Sequence, residues 1–523
     1  MTNKALSSVD CVVIGAGHNG LVAAAYLARA GKSVLVLERS DHVGGAAISK
    51  EVFPGVPARL SKYSYLVSLL PESIREDLGI ELELVRRRVS SYTPDPSDPA
   101  NGLAIPVGNP ERLRAEFERV VGDAEEAERW NQFYARTEQL AQVLFPTLTQ
   151  PLLSEDEVRA LVGEDNWRDF IATPLGGIIE GSLTSDIARG VVLTDGLIGT
   201  FADSHDPSLR QNICFLYHVI GNGTGDWDVP IGGMGHLSQQ LADRAREWGA
   251  QIITHAEVTA VKTDQDSVNV TYRLEGGAAQ AVRAEYVVAN CAPAVLDELL
   301  GRAPRTPQGD DSGAQIKINM LLTHLPRLRD ASVSPEDAFC GTFHINENYS
   351  QLNAAVQQAR SGSLPQPLPA EIYCHSLSDP SILGEELRAA GVQTLTMFVL
   401  HTPDQLFTGA NAPSREEILS AAFATLNSVL AEPIEQCLYR DSAGNPCIEV
   451  NTTVDIAADL AIPSGNIFHT PLEWPWAEST GEVGTWGVET DDPRIVLGGS
   501  GARRGGGVSG IPGHNAAQYI LSR

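Results

Sequence analysis

Gly15-Ala16-Gly17-His18-Asn19-Gly20 carries the clearest chemical signal in the chain. Three glycines at this spacing make a turn thin enough for backbone amides to reach a diphosphate. Gly15 permits the tight turn, Gly17 allows the close approach, and Gly20 lets a following helix pack on the preceding strand. Glu38 follows eighteen residues after Gly20. An acid there accepts hydrogen bonds from ribose hydroxyls and repels a 2′-phosphate. Gly15, Ala16, Gly17, Asn19, Gly20, Glu38 and Arg39 are therefore expected to contact a dinucleotide.

These residues need a strand, a helix and a second strand to hold them, and the flanking sequence supplies all three. Val12 to Ile14 reads as a short buried strand, Leu21 to Ala30 as a small-residue helix closed by Gly31, and Ser33 to Leu37 as a strand ending at Glu38. The helix N-terminus adds free amides and a dipole suited to phosphate. Just past the acid, Gly44-Gly45-Ala46 keeps the backbone small enough to lie along a flavin dinucleotide, which an NAD domain does not need. FAD is the expected cofactor, with Gly44, Gly45 and Ala46 as further contacts.

GAGHNGLVAAAYLARAG followed by VLERSDHVGGAA resembles the FAD oxidoreductases related to phytoene dehydrogenase, a branch of the fold shared with glutathione reductases and amine oxidases. The resemblance implies a Rossmann-like FAD domain assembled from separated segments. The second segment would be Pro230 to Pro293, with a helix near Leu237 to Trp248 and several strands; there Val258 would line the adenine side. The third would be the C-terminal strand Ile495 to Leu497, a glycine-dense turn and a final helix, placing Gly501, Gly506, Gly507 and Val508 at the flavin. The family's His-Pro before the glycine triplet is replaced by Arg503-Arg504. Two readings stay open for this pair: guanidinium groups at the flavin, or groups turned to solvent. His469, Trp474 and Trp476 cluster upstream of this tail, where a histidine can act as base and indoles can wall an apolar pocket or serve as core anchors. His469, Trp474 and Arg504 are the candidate chemistry residues.

At 523 residues the chain exceeds a single core. The expected fold class is α/β, with FAD-domain segments 8–70, 225–300 and 455–523 and an α+β substrate domain inserted as 71–224 and 301–454. Helices are expected over Pro110 to Leu144, Glu155 to Leu175 and Arg415 to Leu430, and strands at Ile316 to Leu322, Glu371 to His375 and Thr394 to His401. A net charge of −28 disfavours nucleic acid and anionic membrane surfaces as partners; a homo-oligomer is compatible with it. The polar N-terminus and the lack of a long apolar run suggest a cytoplasmic protein. Seven cysteines without a CxxC offer no redox dithiol beside a flavin, and the histidines show no metal-binding spacing, so no metal is expected.

These features together predict an FAD-dependent oxidoreductase that takes hydride from an apolar or polyene-like small molecule at flavin N5. With one dinucleotide fingerprint in the chain, oxygen or a quinone is the expected acceptor. A flavin amine oxidase, a non-redox flavin isomerase and an FAD-carrying binding protein are the rival readings.

Overall fold

Residues 8–225 and 227–523 are described by a computed structural model. Two seven-stranded sheets organise them. The first draws its strands from three distant stretches. Ser8–Ile14 lies at the centre, parallel to Val34–Leu37 on one side and to Ala279–Ala289 on the other. Val34–Leu37 pairs in parallel with Gln251–Ile253, and Ala279–Ala289 pairs in parallel with Ile495–Leu497 from the end of the chain. Ala256–Thr263 and Val268–Leu274 complete the sheet as antiparallel strands. Cys11 to Ile14 and Val34–Leu37 are continuous buried apolar runs, as expected where helices cover the sheet.

Helix His18–Arg29 is buried along nearly its whole length, and small side chains make this possible. It packs against both Met234–Glu247 and the C-terminal helix Ile511–Leu521. Gly513 sits at the second crossing, where a Cβ would stand only 1.9 Å from the Asn19 carbonyl oxygen.

The second sheet runs Ile448–Asn451, Ile316–Leu322, Gln393–Val399, Ala370–Tyr373, Thr342–Ile345, Val89–Pro94 and Gly102–Pro106 in spatial order. Helix Pro110–Val121 packs against its edge strand Gly102–Pro106, Glu126–Leu144 packs on that helix and on Arg210–Val219, and Asp186–Thr194 packs on helix Tyr349–Arg360. The helical stretch expected over Pro110 to Leu144 is broken in two because Gly122 adopts a left-handed φ of +75° and closes the first helix. The first glycine-turn helix begins at His18, earlier than Leu21, with Gly17 as its N-cap. No helix among the described residues is long and apolar enough to cross a membrane.

Candidate functional site

A cavity of about 420 Å³ opens where the two sheets meet. One end is formed by the glycine turn and the C-terminal segment: His18, Asn19, Ala46, Ser500, Gly507 and Val508 all line it. The glycines here are required by shape. A Cβ on Gly20 would lie 2.5 Å from the Gly15 carbonyl oxygen, and one on Gly15 or Gly17 would lie 3.0 Å from Asn290. Gly44, at φ +118°, donates its N–H to the Ala16 carbonyl, while Gly45 presses a would-be Cβ to 3.2 Å from Gly17. Gly501, Gly506 and Gly507 are equally confined, with Pro293, Phe468 and Leu69 as the respective neighbours.

Glu38 is buried beneath the turn and accepts the Ala16 N–H at 2.7 Å and the Ser40 N–H at 2.8 Å. It thus braces the turn from below. Arg39 reaches out instead and donates to the Asp459 carbonyl at 2.6 Å, tying this loop to the third segment. Val258 lies in strand Ala256–Thr263, whose first residue donates its N–H to the Glu38 carbonyl; Val258 itself does not line the cavity. Asn290 is the hub: its side-chain amide donates to the Gly15 carbonyl at 3.0 Å, and its backbone N–H donates to Ile14.

Three buried polar atoms at this end have no hydrogen-bond partner among the described residues: His18 Nε2, Asn19 Oδ1 and His469 Nδ1. All three residues line the cavity. Burial lowers the pKa of both His18 and His469 to about 4, so both imidazoles are neutral near pH 7. His469 also holds a φ of +70°, an uncommon conformation for a residue with a Cβ. A side-chain-free cradle backed by an acid and facing unsatisfied donors and acceptors fits a flavin dinucleotide in chemistry as well as in shape.

The two other candidate chemistry residues lie elsewhere, which corrects their expected placement. Arg504 is fully buried away from solvent, and its guanidinium donates to the carbonyls of Pro475, Leu148 and Gln150; it is not among the residues that line the cavity. Arg503 is held by Glu473, Glu478 and Glu482. The pair therefore locks the C-terminal turn onto the loop before it. Trp474 stacks on Trp476 at 4.9 Å and, like it, acts as an anchor outside the cavity.

The opposite end of the cavity gathers ionisable groups that the sequence pattern did not mark. Lys317, the second residue of a fully buried strand, donates its Nζ to the carbonyls of Ser61 and Tyr63 at 2.8 and 2.5 Å and lies 4.5 Å over the Tyr65 ring. Burial holds its pKa well below that of a free lysine. Glu371 accepts the Tyr373 hydroxyl at 2.6 Å, and His344 pairs with Glu347 just behind the wall. Burial raises the carboxyl of Asp195 to about 6 and that of Glu371 to about 8, and places Glu347 well above the usual range. A lysine inside the apolar run IKINMLL was the one available signal, since lysine is almost never fully buried without a reason.

Two outcomes follow that measurements can check. Glu38→Arg removes both acceptors under the turn and inserts a cation beside Ala16, so the purified variant is expected to lose bound flavin, with FAD affinity at least about tenfold weaker in a fluorescence titration. Wild-type affinity in this variant would refute the bracing role. For Glu371 the unfolded carboxyl has a value of 4.5 and the folded one about 8. Between those values the folded chain keeps a proton that the unfolded chain releases, so this group makes stability fall as pH rises. Glu371→Gln should flatten the decline in urea midpoint between pH 5 and pH 8, and equal declines in both proteins would count against it.

Comparison with known proteins places these features in context. The family model for flavin containing amine oxidoreductase matches residues 20–322. An uncharacterized protein of Mycobacterium tuberculosis is 50% identical over 98% of this chain and 97% of its own. The pyridine nucleotide-disulfide oxidoreductase domain-containing protein 2 of Rattus norvegicus is 29% identical over 98% of this chain and 93% of its own. Among solved structures, a single-site mutant of putrescine oxidase redesigned in its cofactor binding superposes with a TM-score of 0.61 at 17% identity, covering 99% of each chain. The α/β architecture matches that of such flavoenzymes, and FAD is the cofactor this relationship carries.

Proposed function

The chain belongs to the flavin-containing amine oxidoreductase family, and on that premise we propose that this FAD-dependent oxidoreductase oxidises a small amine bound in the cavity. The observation that carries the proposal is the ionisable far end formed by Asp195, Lys317, His344 and Glu371. A polyene seated there would exclude water from the cavity-facing side of these groups and offer no polar partner, leaving them only the protein hydrogen bonds that Lys317, His344 and Glu371 already make. A substrate with a basic nitrogen and hydrogen-bonding capacity satisfies them. The glycine triplet and Val508 beside the cavity support kinship with the phytoene-dehydrogenase-related branch, but that kinship concerns the cofactor end and leaves the substrate to the far end.

Bound FAD supplies a two-electron acceptor for a C–H bond next to nitrogen. The chain's own residues manage position and protons. Tyr65 and Tyr373, 4.8 Å apart ring to ring, present an aromatic wall next to Lys317. Lys317 and His469, depressed in pKa by burial, are able to hold or release a proton without carrying a permanent charge in the cavity. Apolar residues such as Ile105, Val191, Ile198 and Phe398 exclude water between the two ends. Oxygen or a quinone is the proposed acceptor for reoxidation, because the sequence carries one dinucleotide fingerprint and no CxxC pair.

Anaerobic mixing of the yellow protein with panels of amines, alcohols and polyenes tests the proposal. Amines are expected to bleach the flavin band; bleaching by polyenes alone would overturn it.

A further inference from the structure

Far from the cavity, on the outer edge of the second sheet, three potential ligand atoms converge from two parts of the chain. His324 follows strand Ile316–Leu322, Glu432 lies in the loop after helix Arg415–Val429, and Cys437 ends the short helix Ile434–Cys437. His324 Nε2 stands 3.6 Å from Glu432 Oε2 and 3.8 Å from Cys437 Sγ, and the three ligand atoms lie within 4.8 Å of one another. In a tetrahedral zinc site, bond lengths near 2.3 Å to sulfur and near 2.0–2.1 Å to nitrogen and oxygen put neighbouring donors about 3.4–3.6 Å apart. The observed gaps are close to these values. They also exceed the roughly 2.7–3.2 Å of a direct imidazole–carboxylate hydrogen bond.

The surroundings orient His324 and Glu432 toward the common centre, and Cys437 Sγ stands 3.8 Å from the Pro433 carbonyl as well as from His324. The Thr323 hydroxyl donates to the Cys437 carbonyl at 3.1 Å, so toward the neighbouring ring its oxygen acts as acceptor. His324 Nδ1, 3.0 Å away, then carries the proton, leaving the Nε2 lone pair free. Arg327 donates its backbone N–H and its Nε to Glu432 Oε1, leaving Oε2 for another partner. The backbone fixes the two parts together, since the Thr323 N–H donates to the Cys437 carbonyl at 2.7 Å and the Tyr439 N–H to Leu321 at 2.8 Å. Cys437 is buried while His324 is exposed, so a bound cation would have protein on one side and a water position on the other.

We propose that His324, Glu432 and Cys437 form a binding site for a zinc-type divalent cation, with water as the fourth ligand. The site pins the end of strand Ile316–Leu322 to the loop after Val429. No short motif announces this set, because the donors meet only after the two segments pair.

Cobalt(II) is the probe of choice, because thiolate coordination gives it a near-ultraviolet charge-transfer band. Full-length protein, stripped with chelator and dialysed, is titrated with Co²⁺, followed by Zn²⁺ competition. The expected result is one equivalent bound with the thiolate band, displaced by Zn²⁺, lost in Cys437→Ser, and at least tenfold weaker in His324→Ala and Glu432→Gln. The flavin spectrum of all three variants should match wild type, which verifies that they are folded. His324 is exposed, so its variant carries the test if the cysteine variant misfolds. Failure of wild type to bind Co²⁺ more tightly than His324→Ala would overturn the proposal and leave a thiol–imidazole hydrogen bond as the whole interaction.

Discussion

A chain carrying Gly513→Val is expected to be recovered unfolded or devoid of flavin. Gly513 lies in the first turn of the C-terminal helix, and a Cβ there would meet the Asn19 carbonyl oxygen at 1.9 Å and the Ala23 nitrogen at 3.0 Å. Both are backbone atoms of a helix buried on every side, so no rotamer change relieves the clash. Overpacking a well-filled core typically costs about 1–3 kcal/mol, and a contact this short with an immobile partner lies at or beyond the upper end. Since Asn19 also lines the cofactor end of the cavity, any retreat of the first helix distorts that end as well. Denaturant midpoints and the flavin-to-protein absorbance ratio read both effects. Gly177→Ala, in a helix where a Cβ meets nothing within 4 Å, is the matched control and should be neutral or slightly stabilising. Equal midpoints for the two variants would show that the helix crossing is softer than its geometry implies.

Lys317→Met should leave FAD bound at one per chain while slowing flavin reduction by an amine about 10²-fold or more, the range expected when a positioned proton-transfer group is removed. Methionine fills similar volume in the strand, so the variant tests the amine group and not the packing. Two effects combine. The Ser61 and Tyr63 carbonyls lose their donor, which frees the Tyr63–Tyr65 wall to shift, and the cavity loses a base whose pKa burial has lowered. Lys317→Arg should not rescue, because a guanidinium stays protonated and needs a larger space. Rapid-mixing spectroscopy at saturating amine measures the rate constant. An unchanged value, or loss of FAD itself, would remove Lys317 from the substrate end.

The cofactor end was legible because its signals are local. A thin turn between a buried strand and a small-residue helix is written in consecutive residues, and Gly44 and Gly45 repeat the theme a few positions later. The far end was not legible, because its groups come from Asp195 on the helical side and from Lys317, His344 and Glu371 on three strands whose spatial order differs from their order in the chain. Strand pairing of Val89–Pro94 with Thr342–Ile345 escaped for the same reason. Arg503 and Arg504 show the reverse failure. Two cations beside a flavin motif suggested chemistry, whereas five carbonyls and three carboxylates converge on them from segments that no local pattern ties to the tail.

Asn290 joins the glycine turn from 275 residues away, and Gly499 closes on it from the far end of the chain, where a Cβ would lie 3.1 Å from its side chain. The pocket for the dinucleotide therefore has no existence in an unfinished polypeptide. A ribosome that has made the whole first helix and even the second sheet has still not made a flavoprotein. A chain stalled before Ile495 lacks the parallel strand Ile495–Leu497 and the glycine-rich segment after it, both of which complete the enclosure. Flavin colour is therefore expected only in molecules in which the first glycine turn, Asn290 and the segment after Ile495 have come together.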